Sequence, residues 1–331
     1  MERKNPAPGV LCLSIALVTA LLLAGCTGPI QGGSPANQVP PGGQNPSAGP
    51  KDRLLVATTT SLSDTGLLDY LERIFENNYA IDLQVTSQGT GKAIEIAKRG
   101  DCDLLVVHSP AQEEDFMEAG HGINRRCFAY NYFIVAGPAD DPAGIRGMEP
   151  KEAFRTIIGK GKSGTPGVFF VSRGDNSGTH NAEKNIWNAT GYNYTSEVRR
   201  SGAWYIEAGR GMGETLQLAS EKGAYTLTDE GTFLTYRGRL DLVPLIDKGD
   251  ILLNIYSVIT VYTEDHPVEK ITMANNFVNF LISPEIQAAI GEYGREKYGK
   301  GLFTPMSGGC LRFGCDCTTP ASATRPSLSF T

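Results

Sequence analysis

Apolar residues fall into short runs that alternate along the chain with longer stretches of helical periodicity. Runs such as Leu54–Ala57 and Leu104–Val107 have the length of buried strands. Between such runs, apolar residues recur every three or four positions, as they do over Leu67–Phe75, and this spacing predicts amphipathic helices. Strands and helices in this order are typical of βαβ units with a parallel sheet, so the predicted fold class is α/β.

Two longer apolar and aromatic strands interrupt this alternation and predict a second body. The segment Phe128–Gly137 is long enough to leave the first sheet, and the segment Ile255–Tyr262 is long enough to return to it. We therefore expect two α/β domains with a hinged cleft between them. Domain I comprises residues 52–135 together with 253–308, and domain II comprises residues 136–252.

Hydroxyl groups cluster where the first two predicted strands end. The loop Thr58–Ser61 follows the first strand, and the loop Ser87–Gly91 follows the second. In parallel sheets, ligands bind beyond the carboxyl ends of the strands, so both loops are predicted to line one site. The candidate binding residues in these loops are Thr59, Thr60, Ser61 and Thr90.

A third loop, Ser172–His180, joins the apolar run Val168–Val171 to a predicted helix that contains Trp187. Backbone N–H groups at the start of a helix point outward, and the helix dipole adds partial positive charge there. Arg173 adds a full charge and a planar fork of donors. These features predict an oxyanion site, and an ordinary capped turn is the alternative. The candidate residues are Ser172, Arg173, Ser177, Gly178 and Thr179.

Part of the same loop suggests a different chemistry. The stretch Gly174–Gly178 is similar to a serine-protease nucleophile loop with one additional residue, which makes Ser177 a candidate nucleophile. Such a serine needs a histidine base that a carboxylate orients. The chain has four histidines, and nothing in the sequence pairs one of them with Ser177. A secreted serine hydrolase is therefore an alternative, and no residue is assigned a catalytic role.

The N-terminal segment has the pattern of a targeting sequence. Basic residues precede a mostly apolar stretch over Val10–Leu23, and Leu23–Cys26 matches a lipobox. We predict a signal peptide over residues 1–25 and lipidation of Cys26; a plain secretory signal or an anchor helix is the alternative. Residues 26–51 are rich in Gly, Pro, Ser, Asn and Gln, which predicts a flexible tether.

Charge and cysteine content narrow the classes of function. The formal net charge of −6 argues against a nucleic-acid surface, although a small anion responds only to the local field. Cys102 and Cys127 lie in the body and are either free or paired. No residue cluster has metal-ligand spacing, so no metal site is assigned. A tail over residues 309–331 carries three further cysteines, whose odd number prevents complete pairing among themselves: Cys310, Cys315 and Cys317.

With the lipobox and the tether, these loops carry a resemblance to a known family. The body, from about Arg53 to Pro305, resembles the substrate-binding proteins of tungstate ABC transporters, the TupA-type family. The resemblance implies a type II periplasmic-binding-protein-like fold that closes on a tetrahedral oxyanion and delivers it to a membrane permease. The motifs that carry it are Thr58–Ser61, Ser172–His180, Gly211–Leu216 and Ala224–Asp229.

A second likeness concerns the site alone. The loop is also similar to the Arg-x-x-x-Ser-Gly-Thr segment of phosphate-binding proteins, which place an Asp at the equivalent of His108 to accept the proton of phosphate. The absence of an acid there favours a donor-only site for a fully ionised dianion. Arg125 and Arg126 either line the cleft mouth or are interdomain or surface charges. The likeness implies an anion-binding role for Arg173, Ser177, Gly178 and Thr179.

The resemblance thus implies a monomeric receptor without enzymatic activity or cofactor, held outside the cytoplasm by the lipid at Cys26. Its implied partners are tungstate and the permease of an ABC transporter, with no nucleic acid. Molybdate, sulfate or phosphate is the alternative ligand, and tungstate and molybdate are nearly the same size. A sensor or structural lipoprotein whose cleft binds nothing is a further alternative.

Overall fold

The computed structural model describes residues 52–306 and Cys315. The predicted signal peptide, the lipidation site Cys26 and the tether, all within residues 1–51, lie outside the described residues, as does the 309–331 tail apart from Cys315. Among the residues that are described, none of the helices combines the length and the apolar character that crossing a bilayer requires.

Strands and helices alternate along the described chain, largely where the apolar pattern predicted them. The strands are β1 (Asp52–Thr59), β2 (Ile81–Gln88), β3 (Leu104–Val107), β4 (Gly122–Gly137), β5 (Phe170–Ser172), β6 (Tyr205–Glu207), β7 (Thr226–Asp229), β8 (Val243–Ile246), β9 (Leu253–Val261) and β10 (Thr304–Pro305). The helices are α1 (Thr60–Asp64), α2 (Leu67–Asn78), α3 (Thr90–Lys98), α4 (Pro110–Glu118), α5 (Pro150–Lys162), α6 (Gly178–Ala189), α7 (Met212–Lys222), α8 (Glu230–Tyr236), α9 (Val268–Leu281), α10 (Pro284–Glu292) and α11 (Arg295–Tyr298).

The first sheet contains the parallel strands that the βαβ pattern predicted. β1 lies between β2 and β3 and pairs with both in parallel. β9 pairs antiparallel with β3, β4 pairs antiparallel with β9, and β10 pairs with the other edge of β4. The carboxyl ends of β1, β2 and β3 therefore meet at one edge of the sheet, where α1 and α3 begin.

β4 belongs to two sheets and connects two lobes. Its first part pairs with β9 as far as Tyr132, and its second part, from Phe133 onward, pairs with β7 and β8. β9 begins at Leu253, opposite Tyr132, and runs back into the first sheet. The two long strands thus leave and re-enter the first sheet as expected, and they lie side by side where they cross.

Each lobe has its own hydrophobic core. In the first lobe, Phe75 and Phe277 belong to a large apolar cluster that packs α2 and α9 against the sheet. In the second lobe, Phe154 and Trp187 belong to a separate cluster that packs α5 and α6 on β5. The two lobes together form one compact unit. The predicted domain boundaries at residues 135 and 253 remain a prediction.

Several short elements were not predicted from the apolar pattern, among them β6, α4, α11 and β10. They are short, and their existence depends on caps and tertiary packing more than on periodicity. Asp229, for example, caps α8 by accepting the N–H of Thr232 at 2.8 Å.

A disulfide joins Cys127 on β4 to Cys315, with the two Cα atoms 5.8 Å apart. It lies in a small apolar cluster near β10. This bond answers the question of pairing that the sequence left open for Cys127, and it fastens part of the tail to a strand that crosses between the lobes. Cys102 is a buried free thiol, while Cys310 and Cys317 lie outside the described residues.

We expect Cys315→Ser to lower the free energy of unfolding by about 2–4 kcal/mol, because the disulfide constrains a long loop of the unfolded chain. Urea unfolding without reductant, followed by tryptophan fluorescence, measures the difference. A reducing agent should bring the wild-type midpoint down to that of the variant and leave the variant unchanged. Equal midpoints in the absence of reductant contradict a stabilising role for this bond.

Candidate functional site

Arg173 lies at the centre of the candidate site. It directly follows β5, and its side chain is 1% exposed. Nη2 donates to Thr60 Oγ1 at 3.1 Å and pairs with the carboxylate of Asp175. Within the described residues, Nε and Nη1 have no hydrogen-bond partner although both atoms are buried. Because a buried donor without a hydrogen-bond partner is costly, these two donors mark a place where an acceptor stabilises the protein.

Helix α6 begins a few residues after this guanidinium. Ser177 is its N-cap, and the Ser177 hydroxyl accepts the N–H of His180 at 3.2 Å. Asp175 Oδ1 accepts the N–H of Ser177 at 3.1 Å and holds the loop in a turn. Thr179 is buried, and its hydroxyl has no partner in the part of the chain that is described. A helix N-terminus that combines these groups favours an anion.

The first lobe contributes the hydroxyl loop after β1. Thr59 caps the first turn of α1, and Thr60 accepts a hydrogen bond from Arg173 across the cleft. Ser61 Oγ lies 3.3 Å from Thr59 Oγ1 and 2.8 Å from Nε2 of His108. The loop predicted from the hydroxyl cluster therefore does lie against the Arg173 loop.

Hydrogen bonds between the lobes close the cleft over these side chains. Thr90 Oγ1, at the start of α3, accepts the N–H of Gly178 at 2.8 Å. Asp64 Oδ2 accepts the N–H of Gly213, at the start of α7, at 3.3 Å. Burial raises the pKa of Asp64, which is consistent with its place inside the closed interface.

A chain of buried polar side chains links Ser61 to the crossing strands. His108 Nδ1 lies 2.9 Å from Oδ1 of Asn254 on β9. Asn254 Nδ2 donates to Asn131 Oδ1 on β4 at 2.8 Å, and Asn131 Nδ2 donates to Asp229 Oδ1 at 3.4 Å. Burial lowers the pKa of His108 to about 4, so the imidazole is neutral near pH 7.

A second buried hydrogen-bond network, centred on Glu183, supports the Arg173 loop. Glu183 accepts hydrogen bonds from the Tyr205 hydroxyl at 2.6 Å and from Trp187 Nε1 at 2.9 Å, and it also bonds Ser172. Burial raises the pKa of Glu183 to about 7. The Ser172 hydroxyl in turn accepts the N–H of Gly174 at 3.1 Å. These contacts hold the loop in shape.

The structure brings most of the predicted residues together at the closed cleft. The hydroxyl of Ser172 is an exception, because it is engaged with Glu183 and with the N–H of Gly174. The Ser177 hydroxyl accepts from His180 and keeps its own hydrogen to donate. Arg125 and Arg126 are 3% and 6% exposed, and Arg125 pairs with Glu113, so of the alternatives considered for these two arginines, surface charges are excluded. The predicted residues at the cleft are Thr59, Thr60, Ser61, Thr90, Arg173, Gly178 and Thr179.

Sequence reasoning missed two features of the site. The expectation of a donor-only site is incomplete, because the carboxylate of Asp175 contacts Arg173. Its position two residues before Ser177 is the spacing of an Asx turn, which was an available indication. The pairing of Asn131 with Asn254 arises only from the register of β4 and β9, and no local pattern indicates it.

The chain folds into two α/β lobes that are joined by paired crossing strands and that meet over buried hydrogen-bond donors suited to an anion. This arrangement defines the class of periplasmic-binding-protein-like receptors. A family model described as the PBP superfamily domain matches residues 41–285, and the chain belongs to this family. The tungstate-binding protein TupA of Peptoclostridium acidaminophilum is 39% identical over 294 residues, which cover 88% of this chain and 96% of that protein.

Solved structures agree with this assignment. The tungstate-binding protein TupA from Desulfovibrio alaskensis G20 is 41% identical, with a TM-score of 0.64 over 78% of this chain and 100% of that chain. The tungstate ABC transporter structure from Geobacter sulfurreducens is 37% identical, with a TM-score of 0.64 over 73% of this chain and 98% of that one. The predicted fold class and the family resemblance are confirmed.

A Cβ atom at Gly178 would lie 2.8 Å from the carbonyl oxygen of His108 in the opposite lobe. We expect Gly178→Ala to reduce oxyanion affinity by about fivefold to 150-fold, because overpacking of this kind costs about 1–3 kcal/mol in the closed state and each 1.4 kcal/mol is about tenfold. The unfolding midpoint should stay the same or rise, because alanine is the better helix former. Calorimetric titration and thermal unfolding measure the two effects.

Gly159→Ala is the matched control, since its added Cβ in α5 would meet no atom within 4 Å. It should bind as the wild type does. Unchanged affinity in Gly178→Ala contradicts the closed arrangement of the two lobes around this residue.

Proposed function

We propose that the protein captures tungstate between its two lobes and delivers it to the permease of an ABC importer. The observation that carries this proposal is the buried guanidinium of Arg173, whose Nε and Nη1 lack partners among the described residues. The Thr179 hydroxyl, in the adjacent helical turn, is also buried without a hydrogen-bond partner among the described residues. The names of the relatives from P. acidaminophilum and D. alaskensis support tungstate as the ligand.

Hydroxyl groups from both lobes complete the proposed donor set. Thr60 Oγ1 accepts from Arg173, and Thr90 Oγ1 accepts from the N–H of Gly178. A hydroxyl that accepts from an N–H still has its own hydrogen to donate. Thr59 and Ser61 stand in the same buried loop. Bonds from a charged donor contribute about 1.5–3 kcal/mol each, and exclusion of water by the closed lobes strengthens them.

The charge pattern favours a fully ionised tetrahedral dianion. Arg173 supplies the positive charge, and Asp175 holds one end of its guanidinium so that the other donors keep a fixed direction. Size does not separate tungstate from molybdate, so molybdate is the second candidate ligand. The names of the relatives support the choice of tungstate.

The N-terminal pattern supports a lipid anchor for this receptor. Cys26 carries the lipid, residues 26–51 are the tether, and the body works as a monomer outside the cytoplasm. The lipobox Leu23–Cys26 supports the anchor. In the body, residues 52–135 with 253–308 and residues 136–252 are the two domains that close, and the separate hydrophobic cores of the lobes support this division.

Among the described residues, no histidine is bonded to Ser177 as a base, which argues against the serine-hydrolase alternative. The Ser177 hydroxyl caps α6, and the ring nitrogens of His180 bond Asn176 and Tyr194 instead of Ser177. The relatives from P. acidaminophilum and D. alaskensis are named as tungstate-binding proteins. The protein therefore acts as a receptor without chemistry of its own.

We expect tungstate to bind one-to-one with high affinity, and Arg173→Ala to weaken binding by about 100-fold or more. Loss of two charge-assisted bonds costs about 3–6 kcal/mol, and each 1.4 kcal/mol is about tenfold in affinity. Isothermal titration of the body from Asp52 onward with tungstate, molybdate, sulfate and phosphate measures this.

Arg295→Ala is the matched control, because Arg295 is exposed on α11 and pairs only with nearby Glu292 among the contacts described. It should titrate like the wild type. Wild-type affinity in Arg173→Ala would overturn the assignment of the site. Absence of binding by all four anions would overturn the receptor function itself.

A further inference from the structure

We propose that His108 takes up a proton when the oxyanion binds, and that this proton turns the Ser61 hydroxyl from the histidine towards the ligand. The inference rests on the proposed function, since it concerns the same cleft. His108 is then a positioning residue, because it acts on the ligand through Ser61.

The direction of each hydrogen bond in the polar series behind Ser61 follows from its last member, Asp229. Asp229 Oδ1 is an acceptor, since it accepts the N–H of Thr232 at 2.8 Å. Asn131 therefore turns its amide nitrogen to Asp229 and its oxygen to Asn254. Asn254 must then present its own amide nitrogen to Asn131 and its oxygen to His108.

The hydrogen on His108 is thereby assigned to one ring nitrogen. Nδ1 donates to Asn254 Oδ1 at 2.9 Å, so in the neutral ring Nε2 carries a lone pair. The Ser61 hydroxyl, 2.8 Å away, must donate its single hydrogen to that lone pair. In this state Ser61 has only lone pairs to offer the cleft, and these repel an anion.

Two opposite charges face His108 before the ligand arrives. On the side of the second lobe, Arg173 lowers the pKa of His108 and Asp175 raises it, and the two are paired with each other. On the side of the crossing strands, His108 meets the neutral groups Asn254, Tyr256 and Phe133. A dianion placed in this buried space adds uncompensated negative charge, which favours the protonated imidazole.

Proton uptake keeps the hydrogen bonds that link Asn254, His108 and Ser61 and reverses the direction of the one between His108 and Ser61. The imidazolium keeps its Nδ1–H bond to Asn254 and gains an Nε2–H that donates to Ser61 Oγ. The Ser61 hydroxyl rotates and donates its own hydrogen to an oxygen of the ligand. One proton enters from solvent, and no covalent bond other than the new N–H forms.

His180, the other buried histidine of the site, lacks this possibility. Its Nδ1 accepts the backbone N–H of Asn176 at 2.9 Å, and its Nε2 bonds the Tyr194 hydroxyl at 2.7 Å. A backbone N–H cannot rotate as a hydroxyl can, so protonation of Nδ1 would remove this hydrogen bond and bring two N–H groups together. The rotatable partner makes His108 the histidine that suits proton-coupled binding.

The test is calorimetric titration of the protein with tungstate in buffers of different ionisation enthalpy, from about pH 6.5 to about pH 8.5. The dependence of the observed enthalpy on the buffer gives the number of protons taken up. We expect the number of protons taken up to grow as pH falls. The association constant for tungstate should rise by up to about tenfold for each unit by which the pH is lowered. The sign follows because the complex binds more protons than the free protein.

His108→Gln is the decisive variant, since the amide can still donate to Ser61 but does not titrate. It should bind tungstate with no proton uptake and with affinity that varies little with pH. Persistent uptake in this variant would overturn the role of His108, because another group would then take up the proton. His121→Gln, at the turn between α4 and β4, is the control and should keep the wild-type uptake.

The outcomes separate the two proposals. Tight tungstate binding with an enthalpy that does not depend on the buffer overturns the role of His108 and leaves the receptor function intact. If His108→Gln does not fold, the buffer series on the wild type still decides whether a proton is taken up. Absence of tungstate binding overturns the receptor function and this inference with it.

Discussion

The buried guanidinium of Arg173 is the constraint on which the rest of the structure depends. A full positive charge removed from water is tolerated only if its donors are satisfied, and the described residues bond Nη2 alone. Asp175 fixes one end of the group, while Glu183 and Ser172 hold the loop below it. An oxyanion that accepts from Nε and Nη1 completes this arrangement, so the ligand belongs to the most stable state of the closed protein.

The fold explains how closing and binding become one event. The donors stand at the carboxyl ends of parallel strands and at helix N-termini in two lobes with separate cores. Thr90 accepts from Gly178 in the other lobe, so the contact that closes the cleft also orients a proposed donor. The paired Asn131 and Asn254 extend the polar network into the crossing strands. A ligand that favours the closed arrangement therefore shifts the population towards it.

Much of the architecture was predictable because its patterns are local. The apolar runs of β1 and β3, the periodicity of α2 and the hydroxyl loops at strand ends are all visible in short windows of sequence. The position of Arg173 beside glycine and hydroxyl groups at a helix start was predictable from the sequence, and its anion-binding role stays a prediction. The hydrogen-bond network through His108 could not be predicted from the sequence. Asn254 lies 146 residues away from His108 and contacts it only after β3 and β9 pair. The partner of Cys127 was unpredictable for the same reason.

The central claim is that Arg173 and Thr179 hold a tetrahedral oxyanion between the lobes. The most direct measurement is an anomalous difference map at the tungsten absorption edge, from crystals grown with tungstate. The account predicts one strong peak in the cleft, with ligand oxygens within hydrogen-bond distance of Arg173 Nε and Nη1 and of Thr179 Oγ1. A peak at another position, or a map without a peak although the lobes are closed, would contradict it.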